Sequence, residues 1–155
     1  MKKLVSFVLL VVLCLSLTAC GSKNIQIGTS DFYLTLPHGY KMADDNFDED
    51  QVAYYFKDSN SVDFDVYQWD KNGQLKLEEE AAFFAHVYNT AAQPVEINGI
   101  KGFKYISVEE FEGVEYVVFN YMFEDETSIV EICFWTYGQE DEESATQIIN
   151  TLQKE

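Results

Sequence analysis

Seven consecutive residues, Asp44 to Asp50 (DDNFDED), carry five carboxylates and one carboxamide. Such oxygens are the ligands that hard cations like calcium take. Counted as a calcium loop from Asp44, the run puts Asp44, Asn46, Asp48 and Asp50 at positions 1, 3, 5 and 7. Position 6, where the loop needs glycine for its turn, is Glu49, and position 12, where it needs a bidentate glutamate, is Tyr55. Asp70 and Asn72 open a second such run, which breaks at Leu75 in position 6. Asp44, Asn46, Asp48 and Asp50 are therefore weak metal candidates, and a solvated acidic loop is the plainer expectation. His38 stands in a Pro-His-Gly turn and His86 within a helical pattern. With Cys133 they make a poor zinc inventory. Cys133 lies in an apolar strand pattern, SIVEICFW, where cysteine usually packs as an inert small hydrophobe. There is no Gly-x-Ser-x-Gly and no glycine-rich phosphate loop. The expectation is no catalytic residue, no cofactor and no enzyme activity.

Cys20 has a different kind of chemistry. Met1-Lys2-Lys3 is basic, and Leu4 to Leu17 is apolar apart from Ser6 and Ser16. That run is shorter than the roughly 20 residues of a membrane span and suits the core of a secretory leader. Leu17-Thr18-Ala19-Cys20, followed by Gly21, resembles the bacterial lipobox. The resemblance implies a lipoprotein signal peptide over residues 1–19, cleavage before Cys20, and a diacylglycerol on its thiol. Residues 20–24 then form a short lipidated tether, spanning about 17 Å at full extension. Residues 25–155 form one domain on the extracytoplasmic face of the cell membrane.

The charge agrees with attachment through lipid. The chain carries −17, with ten lysines and no arginine. Such a surface repels nucleic acid and anionic headgroups alike. Once Cys14 leaves with the leader and Cys20 is acylated, Cys133 has no partner for a disulfide. Stability must come from the core, to which 12 Phe and 10 Tyr contribute.

The elements that would position these residues are mostly strands. Asp31 to Pro37 alternates, with Phe32, Leu34 and Leu36 on one face. Gln51 to Lys57 groups Val52, Tyr54 and Phe56. Ser61 to Trp69 groups Val62, Phe64 and Val66, with Asp63 and Asp65 on an opposite, wet face. Asp58-Ser59-Asn60 is a turn signal between these two. Lys101 to Phe111, Val114 to Glu124 and Thr127 to Tyr137 form a meander with turns at Glu112-Gly113 and Asp125-Glu126. The middle strand, apolar on both faces, should be covered on both sides. Helices are expected over Leu77 to Asn89, striped by Leu77, Ala81, Phe84 and Tyr88, and over Asp141 to Lys154, striped by Ala145, Ile148, Ile149 and Leu152. Trp69, Trp135, Tyr67, Tyr105 and Tyr137 either pack in the core or form a partner- or ligand-binding patch. The pattern leaves both open, because helix placement decides which face is covered.

The fold class is α+β, a twisted antiparallel sheet of about six strands flanked by two main helices. DFYLTLPHGY, QPVEINGIK (Gln93 to Lys101), the meander and a final IINTL resemble the PsbP-like fold, including bacterial lipoproteins of the DcrB type. Tyr40 stands where many members have Trp. The resemblance implies accessory or binding roles beside membranes or larger complexes, with no catalytic residues to carry over. The expected function is thus a non-catalytic binding or accessory domain for an envelope protein partner. A divalent-cation or small-ligand binding protein is the alternative.

Overall fold

The computed structural model describes residues 22–43, 50–57, 62–136 and 142–155. These form two antiparallel sheets and two helices. The small sheet consists of β1 (Lys23–Gln26), β2 (Phe32–Leu36) and β10 (Gln153–Lys154), with β2 in the middle. The large one holds β3 (Lys41–Met42), β4 (Gln51–Phe56), β5 (Asp63–Asp70), β6 (Gln93–Ile97), β7 (Ile100–Phe111), β8 (Val114–Glu124) and β9 (Ser128–Thr136). Its spatial order is β3-β4-β5-β9-β8-β7-β6. Helix α1 is Leu77–Val87 and helix α2 is Glu142–Ile149.

The expected α+β class is present, but the sheets are larger than about six strands. The six expected strands are β2, β4, β5, β7, β8 and β9. The additions are short or lie at an edge. β6 contains Pro94, which a central strand would not tolerate; at the edge, its missing N–H costs no ladder bond. Asn98 and Gly99, at φ +51° and +82°, close the β6–β7 hairpin, and Glu112 and Gly113, at +51° and +78°, close the β7–β8 hairpin. Both are turns in which successive positive φ values match the strand twist. Lys23 and Asn24, expected in the tether, pair with Leu36 and Thr35 in β1.

The helices are shorter than expected. α1 stops at Val87 rather than Asn89, and Asn89 takes φ +54°. α2 ends at Ile149, well before Lys154. The Asn98 side-chain amide donates to the carbonyls of Asn150 and Leu152, both at 2.9 Å. That holds the chain in a turn, sends Leu152 into the core and leads it into β10. Lys154, rather than ending the helix, lies with its Nζ 5.4 Å from the Phe32 ring centroid.

One face of the large sheet packs against the small sheet and α2. Phe32, Leu34, Leu36, Phe64, Val66, Phe119, Phe123, Ile132, Phe134, Ile149 and Leu152 are at most 2% exposed. The β2 and β5 alternations are therefore as expected. In β4 the core-facing residues are instead Ala53 and Tyr55, and Val52 is exposed. The other face is covered at one end by α1. Leu77, Ala81 and Ala85 pack on Tyr105, Met122 and Ile129.

Close packing also fixes Gly102 in β7. A Cβ there would run into the Met122 carbonyl oxygen and lie 2.5 Å from Phe123 Cδ1. Gly102→Ala should destabilise the protein by about 1–3 kcal/mol through overpacking. Urea unfolding measures this, and an unchanged midpoint would contradict the packing described.

Candidate functional site

The strands fix what lies on the part of the sheet that α1 leaves open. In the antiparallel register, Asp65 (β5) stands opposite Cys133 (β9), which stands opposite Asn120 (β8), which stands opposite Tyr105 (β7). One pair along, Tyr67 opposes Glu131; one pair the other way, Asp63 opposes Trp135. Side chains two apart share a face, so Asp63, Asp65, Tyr67 and Trp69 line up beside Trp135, Cys133 and Glu131. A bulge in β4 supplies another polar group. Gln51 pairs with Tyr67 and Ala53 with Val66, leaving Val52 as the extra residue. The insertion reverses the parity before it. Gln51, which strict alternation would turn inward with Ala53, donates from Nε2 to Asp65 Oδ1 at 2.5 Å.

The result is a groove with two connected compartments. The larger, about 680 Å³, is lined by Gln51, Tyr54, Asp63, Asp65, Tyr116 and Phe111. The smaller, about 180 Å³ and nearer α1, is lined by Trp69, Phe84, Tyr88, Tyr105, Glu109 and Glu131. Tyr67 and Trp135 wall both. Tyr67 stacks on Trp69 at a centroid distance of 6.1 Å, Trp135 meets Tyr116 edge-on at 5.7 Å, and Tyr88 stacks on Tyr105 at 6.0 Å. The lining contains four carboxylates and no lysine.

The alternation around Asp63 and Asp65 suggested a wet face, but Asp63 and Glu109 are half-buried and the other two carboxylates are buried. Asp65 is 7% exposed and Glu131 is 4% exposed. The reason is position: β5 and β9 are interior strands, and large rings stand on either side. Asp65 accepts from Gln51 and, at 2.6 Å, from Trp135 Nε1. Burial outweighs these bonds and pushes its pKa up to about 6. Asp63 accepts from the Tyr54 hydroxyl at 3.0 Å, and burial raises its pKa as well. Glu131 accepts at Oε1 from the Tyr105 hydroxyl. Among the described residues, that is the single hydrogen bond its carboxyl makes. Burial pushes its pKa up to about 7, the Tyr105 bond opposing and Glu109 adding to the rise. Burial and then Glu131 hold Tyr105 firmly protonated. Beneath them, Asn120 donates to Ser107 Oγ at 3.0 Å, and Ser107 donates to Glu109 at 2.9 Å.

Of the residues singled out in the sequence, Cys20, Asp44, Asn46, Asp48 and Tyr137 lie outside the described residues. Asp50 is exposed, and its carbonyl accepts the Gln68 N–H at 2.9 Å. Among the described residues, no three His, Cys, Asp or Glu come together as a metal site requires. His38 and His86 are exposed, away from the groove. Cys133 is buried, as expected; burial, then Glu131 and Asp65, push its thiol well above the ordinary range. Tyr105 is buried in the core beneath α1 with Trp69 packed against it, as core packing expects, whereas Tyr67 and Trp135 are half-buried; all four line the same groove. Glu131 is the residue that sequence reasoning missed. Its signal was available: it is the lone acid in the otherwise apolar SIVEICFW.

No protein-family model matches the chain, and no curated protein matches it. Two solved structures are similar in fold. One, from Bacteroides thetaiotaomicron, has a TM-score of 0.64 at 18% identity, covering 87% of this chain and 48% of that one. This chain thus spans about half the length of that protein. The other is the solution structure of cyanobacterial PsbP (CyanoP) from Synechocystis, with a TM-score of 0.60 at 6% identity, covering 87% of this chain and 93% of that one. At these identities the likeness concerns fold alone, and the fold of this chain is PsbP-like.

Proposed function

We propose that this protein is a lipoprotein held through Cys20 on the extracytoplasmic face of the cell membrane, where its domain acts as a non-catalytic binding or accessory module. The basic start, the apolar run and Leu17-Thr18-Ala19-Cys20 support the anchor. Among the described residues no helix is long and apolar enough to cross a membrane. The groove supports the binding role. Its two compartments are walled by aromatic rings, which supply contact area at low entropic cost, and floored by a few polar groups that give orientation. A thiol whose pKa is raised by burial supplies no ready thiolate, which supports binding over nucleophilic catalysis.

The observation that carries this reading is the half-satisfied carboxyl of Glu131 in the groove wall. Burying a carboxyl with one hydrogen bond costs folding energy. A residue that weakens the fold and faces a cavity is the mark of a site shaped for something else. The same geometry favours the small-ligand form of the alternative reading over its divalent-cation form, since the carboxylates stand on different register pairs and do not converge.

Two outcomes test this reading. Cys20→Ala should release the protein from the membrane fraction and abolish fatty-acid labelling; full retention would contradict the anchor. The second concerns Glu131. Its pKa rises from about 4.3 in the unfolded chain to about 7 in the folded one. The folded state therefore holds the proton more tightly. This contribution is fully present below about pH 4 and is lost as pH rises through 7. Glu131→Gln, which keeps an acceptor for Tyr105, should match the wild type near pH 4. Near pH 8 it should be more stable by about 1–3 kcal/mol. Thermal unfolding at both pH values reads this, and a variant less stable at pH 8 would show that Glu131 serves the fold.

A further inference from the structure

We infer that the groove binds a weakly hydrated organic cation, an aliphatic ammonium group, seated among the faces of Tyr67, Trp69 and Trp135 with Asp65 and Glu131 as its counter-charges. The inference rests on the reading of the groove as a binding surface and names the chemistry of its ligand.

Three observations point to an organic cation. The first is sign. The lining carries Asp63, Asp65, Glu109 and Glu131 and no base. Five of the described lysines are engaged elsewhere, and none lines the groove. Lys71 pairs with Glu124 at 2.8 Å, Lys76 with Glu79 at 2.5 Å and Lys104 with Glu142 at 2.9 Å. Lys57 and Lys154 lie over the rings of Tyr40 and Phe32. The charge complement of the groove must therefore come from outside.

The second is the wall. Aromatic faces attract cations through their quadrupole, most strongly where water is excluded, and quaternary ammonium groups are a recurrent ligand of such cages. The four carboxylates repel an anion, and a neutral ligand would leave their charge uncompensated.

The third is spacing. Asp65 and Glu131 belong to register pairs two residues apart, which is roughly 7 Å along the strands. A calcium ion needs several oxygens gathered within about 2.3–2.6 Å of one point, and among the described residues no three His, Cys, Asp or Glu come together in that way. An ammonium group carrying methyl or methylene substituents is bulky enough to touch rings and a carboxylate together. It also gives up less hydration than a metal ion on entering. Such a ligand would set its positive charge beside Glu131 Oε2, a buried carboxylate oxygen with no hydrogen-bond partner among the described residues.

The site carries a pH dependence. Glu131 is faced by Tyr105 and Glu109 from β7, Tyr67 and Asp65 from β5, Cys133 on its own strand and Tyr88 at the end of α1. None of these brings a positive charge. A cation favours the ionised carboxyl, so affinity should rise as pH is raised from 5 to 8 and protons are released on binding.

The chain's two tryptophans both line the groove, so intrinsic fluorescence reports on it directly. The purified protein is titrated with choline, spermidine, glycerophosphocholine, calcium and 3,3-dimethylbutan-1-ol, the neutral isostere of choline. The inference expects saturable binding of choline or spermidine, at least tenfold weaker binding of the neutral isostere, and no displacement by millimolar calcium. Glu131→Gln and Asp65→Asn should each weaken ammonium binding about tenfold and flatten its pH dependence. Glycerophosphocholine separates the sources. Binding as tight as choline's points to a lipid headgroup, and weaker binding points to a free amine; either supports the ammonium assignment. If the neutral isostere binds as well as choline and Glu131→Gln changes nothing, the inference is overturned while the groove remains a binding surface. If nothing in the panel perturbs either tryptophan, the inference is overturned.

Discussion

The large sheet has seven strands and two faces, and the chain has little material with which to cover them. The small sheet and α2 are placed on one face, where they bury the phenylalanine-rich core. Among the described residues that leaves α1, a helix of 11 residues, for the other. At about 1.5 Å per residue it is roughly 17 Å long and cannot shield every strand. It protects the end where Met122 and Ile129 stand. Over the remaining area of β4, β5, β9 and β8 no described element forms a covering layer. Rings, amides and carboxyls stand in one another's company there: Asp65 is held by Gln51 and Trp135, and Glu131 by Tyr105 at one oxygen only. The groove is the consequence.

Much of this organisation was legible in the sequence. Phe32, Leu34 and Leu36, and Phe64 with its neighbours, alternate strongly because each strand has one dry face. What was hidden depends on neighbours. Asp63 and Asp65 read as solvated because alternation distinguishes two faces and does not say what stands beside them; Trp135 and Tyr67 do the burying. The bulge at Val52 reverses the parity of β4 and leaves no mark in the pattern. Pro94 disguised β6, although Asn98-Gly99 advertised a hairpin. β3 and β10, two residues each, are too short to carry any period. The acidic run from Asp44 drew attention by its density, whereas the informative acid was Glu131, alone among apolar residues.

The proposed groove and the proposed anchor would support each other. A domain lipidated at Cys20 would stay near the bilayer, and its acidity would keep it from lying flat on anionic headgroups. An aromatic site with negative charge would there meet cations where they concentrate, beside an anionic surface. A neutral groove would have no such advantage. The price of keeping carboxyls buried is paid in stability above neutral pH, which is why the acids of this site, and not its rings, carry the functional argument.

The protonation of Glu131 is the point on which this account turns. It is measured most directly by following the side-chain carboxyl carbon of selectively labelled Glu131 by NMR as a function of pH. The account predicts a midpoint near 7, displaced by burial against the Tyr105 bond. A midpoint in the ordinary glutamate range, near about 4.3, would contradict it, because Glu131 would then be solvated and the groove would hold no carboxyl waiting for a partner.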